Sequence, residues 1–438
     1  MRKITICVVI LLCVASVANA ATYYVATTGN DANVGSSGSP WLTIQKAADT
    51  MAAGDTVNVA AGTYAARVFT TTSGTAGNPI TYQTTGTVVM QGFYVQASYV
   101  TVHGFEITNT NSTFQTGTGV LVYGDHNRVE NNYIHDLYWE GVWIWGDTSR
   151  VDPATNNNVV IDNVILRARV AGVLVEGTNN TVESNEISHT IQNPAGAPSR
   201  SSADADGIRF FGSGHVIKKN YIHDILESDS GQTDPHIDCF QTWGPASNII
   251  FEQNKCHGAN ANLQAAQIGN SSGSVYNLTF RNNIFYNATR GINLAASSPG
   301  CTKMSNLQVY NNTFYNLDEQ AVNLANAPGS KIQNNLFYNV GSDTDAYVGF
   351  RDVYSTGLTI GYNAHYSSAG VPAGSAYPND IWDTNPVVVN AGTYDFHLQT
   401  SSPLKNTGAT ITSITVDYDS LARPKGSAYE IGAFEYNE

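Results

Sequence analysis

A short Asn-x-apolar unit recurs eight times along the chain, and this repeat constrains the fold more than any other feature. It appears at Asn132-Tyr133-Ile134, Asn163-Val164-Ile165, Asn185-Glu186-Ile187, Asn220-Tyr221-Ile222, Asn254-Lys255-Cys256, Asn283-Ile284-Phe285, Asn312-Thr313-Phe314 and Asn335-Leu336-Phe337, at intervals of 31, 22, 35, 34, 29, 29 and 23 residues. Self-similarity at such periods marks a solenoid, in which each repeat buries its apolar side only against its neighbours. The variation in interval places the surplus residues in loops.

A second unit with period-two alternation follows the first seven Asn units. Examples are Gly141-Val142-Trp143-Ile144-Trp145, Gly172-Val173-Leu174-Val175-Glu176, Gly207-Ile208-Arg209-Phe210-Phe211 and Cys239-Phe240-Gln241-Thr242-Trp243. Two strands per turn joined by Asn- and Gly-rich corners describe a coil. The expected fold is all-β: a right-handed parallel β-helix with a small N-terminal cap helix and a C-terminal closing segment. In-register asparagines can pass hydrogen bonds from coil to coil, which accounts for a polar residue at a buried corner.

Arg2 and Lys3, the apolar run Ile4 to Val17 and Ala18-Asn19-Ala20 read as an export signal over residues 1–20. Residues 21–97 are expected to form the N-terminal cap and first coils, 98–345 the β-helix core, and 346–438 the last coils and closing segment. Leu42 to Met51 has helical spacing suited to the cap. Beyond the signal no apolar stretch approaches a membrane span.

Removal of the signal leaves Cys239, Cys256 and Cys301, and two buried thiols are expected at 239 and 256 rather than a bridge. Charged residues make up 13% and the formal balance is −14, which argues against nucleic acid as a partner. The chain is expected to act as a monomer on a polysaccharide.

Segments Tyr23–Tyr64 and Asp395–Glu435 resemble the opening and closing segments of secreted pectin-lyase-like β-helix proteins; that resemblance implies the fold and not the reaction. Stacked coils turn equivalent positions into columns about 4.8 Å apart. The leading column places Asp206 and Asp238 on neighbouring coils, and Gln264 and Arg290 continue it. Beside them fall Arg209, Gln241 and Gln267, then Phe211 and Trp243, with Trp143 and Trp145 on earlier coils. Paired carboxylates can divide acid and base roles, and aromatic faces suit sugar rings. An outward, polar and aromatic-lined stripe is therefore expected.

The longest insertions, Gln192–Ala205 and Leu226–Ile237, lead into the two Asp strands. Asp204 and Asp234 on them are candidate Ca²⁺ ligands, and His236 is a candidate base. His135, His223 and His257 share a column with Tyr286, Tyr315 and Tyr338 and read as a structural stack.

Asp206-Gly207-Ile208 with Asp238-Cys239-Phe240 resembles the polygalacturonases, matching two of their three catalytic aspartates. Ile237 stands where the third belongs. Asp234-Pro235-His236 resembles the Asp-Pro-His run of alginate C5-epimerases. Three functional readings follow. The first is β-elimination or epimerisation of a uronate polymer, with His236 as base and Arg209 stabilising the enolate. The second is hydrolysis through Asp206 and Asp238, and the third is glycan binding without catalysis.

Overall fold

The computed structural model describes residues 20–146, 155–191, 205–230, 237–258, 264–269, 273–295, 304–324, 327–341, 355–371 and 377–437. The export signal, Cys301, Asp204, Asp234 and His236 lie outside the described residues.

Each central coil contains three strands, not two. The unit that sequence reading missed is the short apolar-centred strand just before each Asn, as in Thr181–Glu183 before Glu186–Ser188. Its three residues alternate too briefly to stand out. The first and second strands of successive coils join one 26-stranded sheet, and the third strands form a ten-stranded sheet. Both are parallel and in register over many coils, as in Glu186↔Tyr221↔Lys255↔Ile284. The architecture is a parallel β-helix.

The corner between the first two strands explains the Asn repeat. The residue before each Asn is left-handed without being glycine, as at Asp162, Ser184, Lys219, Gln253 and Asn282. A left-handed non-glycine residue costs roughly 1–2 kcal/mol. The following asparagines offset this: each Nδ2 donates to the Oδ1 of the next, from Asn132 to Asn163 (2.9 Å) and from Asn220 to Asn254 (3.0 Å), up to Asn335 and Asn363 (3.0 Å). Asn363 is a ninth rung beyond the repeat read from sequence.

A second polar ladder runs through Asn127, Asn158 and Asn180 and ends on His215. The Asn180 N–H donates to His215 Nδ1 (3.1 Å), and His215 Nε2 lies 2.7 Å from the Phe211 carbonyl. This arrangement requires the neutral ring. Burial pushes the imidazole down to about 4, although the bond to Phe211 opposes that shift.

Cys239 and Cys256 form a disulfide, which corrects the expectation of two free thiols. The reason lies in the columns. Gly172 and Gly207, near the start of their strands, run so close to the next wall that an added Cβ would lie 2.4 Å from Ile187 Cγ2 and 2.5 Å from Ile222 Cγ2. Cys239 follows Asp238 as Gly207 follows Asp206, and Cys256 is the register partner of Ile222. The side chain that would clash elsewhere here meets a cysteine, with the two Cα atoms 6.3 Å apart.

Stacking reaches further toward the N-terminus than the repeat suggested. Thr22–Val25, Thr56–Tyr64 and Ile80–Met90 already pair in parallel, and Val68–Thr70 and Phe93–Val95 open the ten-stranded sheet. The cap helix is only Ile44–Ala48, started by Thr43, whose backbone N–H and hydroxyl donate to Asp31.

The C-terminal segment does more than close an end. It folds back along the flank, where corner side chains on four coils donate to it: Gln253 to the Asp417 carbonyl, Asn282 to Val416, Asn311 to Glu430 and Asn334 to Ala409. Tyr394 and Phe396 pack on the column that contains His257, Tyr286 and Tyr315, with His257 and Tyr286 stacked at 4.6 Å. His223, 5.7 Å from His257, belongs to the same ring stack, whereas Leu166 and Ser188 separate His135 from it, and His135 stacks on Tyr133 instead.

Candidate functional site

The ten-stranded sheet brings the two aspartates together. Asp206 and Asp238 are direct register partners on Ala205–Phe210 and Ile237–Thr242, as are Arg209 and Gln241. Alternation sends Ile208, Phe210 and Phe240 into the main core and Arg209 and Gln241 to the opposite face; the alternation breaks at Gly207 and Cys239, which leaves Asp206 and Asp238 beside Arg209 and Gln241.

That face is not the open stripe expected. Asp206 and Asp238 are fully buried, and Arg209 is 5% exposed. Buried charge requires partners. Asp206 Oδ2 accepts from Arg209 Nε (2.7 Å) and lies 2.6 Å from its Nη2. Asp238 Oδ2 accepts from Gln241 Nε2 at 3.2 Å. The guanidinium lies 4.9 Å from the ring centre of the half-buried Trp243, whose edge meets Phe211 at 4.8 Å. Asp206, Arg209, Asp238, Gln241, Phe211 and Trp243 thus form one cluster.

The other candidates fall around it. Trp143 is two coils away in the Arg209 column, through Leu174, and Trp145 stacks on Tyr123 with centroids 5.3 Å apart. The backbone of Gln267 is in register with Gln241. Arg290 is two coils beyond Asp238 and pairs with Glu319 at 2.5 Å, so it turns away from the aspartates' coils. Among the described residues, no group of three or more His, Cys, Asp or Glu could hold a metal ion. His215, next to the site strand, uses both ring nitrogens in the ladder and cannot serve as a base.

Sequence reasoning passed over two buried acids on this face. Glu176 Oε2 accepts from Trp143 Nε1 (3.2 Å) and from the Gly146 N–H (2.8 Å), fixing the indole. Glu140 accepts from the Thr118 hydroxyl at 3.3 Å. Both stand in the columns already read, and the signal was their place in register.

The fold defines a class, the right-handed parallel β-helix, here with a buried carboxylate pair on one sheet. A family model described as "Right handed beta helix region" matches residues 91–230, and one described as "Protein of unknown function (DUF1565)" matches residues 27–70. Solved structures agree on the fold. A structure titled for the pectate lyase Pel9A is 18% identical, with a TM-score of 0.58 over 96% of this chain and 98% of its own. Another, of XylC with xylose, is 13% identical, with a TM-score of 0.55 over 95% of this chain and 99% of its own. No curated protein matches.

Proposed function

We propose that the protein is an exported enzyme that breaks down a polysaccharide at the Asp206/Asp238 pair, and that hydrolysis is the reaction these side chains fit best. The observation that carries the reading is the pair itself: two carboxylates in register on adjoining coils, with aromatic rings at hand. Glycosidic hydrolysis uses one carboxyl group as acid and a second as base or nucleophile. Asp206, facing a guanidinium, supplies the carboxylate, and Asp238 delivers the proton.

Elimination requires a base and a cation free to meet the substrate's carboxylate. Arg209 is already bound by Asp206. The two solved structures are named for a pectate lyase and a xylose complex; at their low identity they support the fold, and the reaction is argued from the side chains.

The test is incubation with neutral and uronate polymers, with and without Ca²⁺, reading reducing ends and unsaturated-end absorbance together. Reducing ends alone, lost in Asp238→Asn, support hydrolysis. Unsaturated ends assign elimination instead, and no turnover on any polymer refutes the catalytic reading.

A further inference from the structure

Upstream of the acid pair, the same sheet presents a run of aromatic rings that the site does not use. Phe69, Tyr94, Leu121, Trp143, Leu174, Arg209 and Gln241 are successive register partners, so Phe69 and Tyr94 stand in the column of the site's own Arg209. Tyr123 and Trp145 occupy the column two residues later, the one that Glu176 and Phe211 continue. Their backbone N–H groups bond the Val95 and Val122 carbonyls as the ladder requires.

Ring centroids follow at 5.7 Å from Phe69 to Tyr94, 5.2 Å from Tyr94 to Tyr123 and 5.3 Å from Tyr123 to Trp145. The rings lie outside the main core: Tyr94, Tyr123 and Trp145 are partly buried over Leu121, Trp143 and Leu174, and Phe69 is 42% exposed. Glu176 braces Trp143 beneath them. A single exposed aromatic needs no explanation, but a continuous run aligned with a polar site does.

We infer that this tract binds uncharged sugar residues of a long linear glycan, which lies along the helix axis and leads its chain to the acid pair. The inference rests on the proposed catalytic reading and gives it a substrate class. Three observations select this occupant. The tract is continuous in register with the site. Its rings follow one another coil by coil at 5.2 to 5.7 Å, comparable to the length of one pyranose, and the exposed ring of Phe69, with Tyr94 tilted against it, gives sugar C–H groups an apolar surface to lie on. Its charge disfavours an anionic chain: Glu140 and Glu176 are buried beside it, Arg209 is held by Asp206, and Arg67 donates to the Phe93, Thr116 and Thr118 carbonyls.

The test uses the full chain carrying Asp238→Asn, so that bound polymer is not consumed, in affinity electrophoresis through gels containing xylan, galactomannan, mixed-linkage β-glucan or polygalacturonate. At least one neutral polymer is expected to retard it, and polygalacturonate far less. Phe69→Ala and Tyr94→Ala are each expected to weaken retardation about tenfold, the worth of one stacking face. Phe69 is exposed enough for its variant to fold even if Tyr94→Ala does not.

Retardation by none of the neutral polymers, or equal retardation by polygalacturonate that ignores both substitutions, overturns the inference. The two proposals fail separately. Neutral-glycan binding without cleavage by the unsubstituted protein sinks the catalytic reading and leaves the tract. Cleavage whose KM for polymer does not move in Phe69→Ala and Tyr94→Ala sinks the tract and leaves the chemistry.

Discussion

Replacing Asp206 by Asn tests whether the Asp206–Arg209 pair is a single electrostatic unit. The substitution keeps shape and removes charge, leaving the Arg209 guanidinium 5% exposed and without the carboxylate that meets two of its nitrogens at 2.6 and 2.7 Å. Stranding one member of a buried pair costs about 3–5 kcal/mol. Unfolding entropy of roughly 2.1 cal/mol/K per residue gives about 0.9 kcal/mol/K for this chain, so the expected fall in Tm is about 3–5 °C. Arg209→Met costs less, because a lone carboxyl group can take a proton whereas a guanidinium cannot lose one.

The double variant Asp206→Asn/Arg209→Met removes both charges and is expected to regain about 2–3 kcal/mol relative to the sum of the singles, measured by denaturant unfolding. Effects that add within about 0.5 kcal/mol would refute the pairing and, with it, the role given to Asp206. Since stability and turnover both change, activity is compared at temperatures where every variant is folded.

Replacing Cys239 and Cys256 by Ala is expected to lower unfolding free energy by about 3 kcal/mol for a closure of 17 residues, whereas Cys239→Gly with Cys256→Ile, the pairing found at Gly207 and Ile222, is expected to lose less; equal losses in calorimetry would contradict the column argument. His215, held near 4 in the fold against about 6.5 when unfolded, leaves the unfolded chain binding the extra proton between those values. Stability is therefore expected to be whole above pH 6.5 and to fall by about 3 kcal/mol as pH drops toward 4, and His215→Asn, which continues the ladder, is expected to flatten that slope in unfolding curves. Asn220→Ala removes acceptors for the Asn185 backbone and side-chain N–H groups and donors to Val182 and Asn254, and is expected to cost roughly 3 kcal/mol or more in denaturant unfolding.

The columns were legible because register in a parallel stack follows from repeat alignment: placing the Asn units over one another also placed Asp206 over Asp238 and Arg209 over Gln241. Burial was not legible, since what lies over a sheet face depends on chain outside the repeat. The disulfide was missed because Cys239 was read as a core residue, when its column is otherwise glycine wherever the opposite wall carries isoleucine. Phe69 and Tyr94 escaped because the repeat was traced only from residue 98, and their coils lack the Asn unit that made later ones visible. Glu176 showed its position but not its partner, since an indole donor in the neighbouring column of the preceding coil carries no sequence signature.

The tail's path along the corners has a consequence for biogenesis. Gln253 waits for the Asp417 and Tyr418 carbonyls across 164 and 165 residues, and Asn311 for Glu430 across 119. Coils can wind one after another as the chain emerges, but the flank from Gln253 to Asn334 keeps its hydrogen-bonding groups in water until almost the last residue is made. A chain cut short near residue 400 would still wind, yet it would carry an unsealed seam on its middle coils, a surface for quality-control proteases to grip.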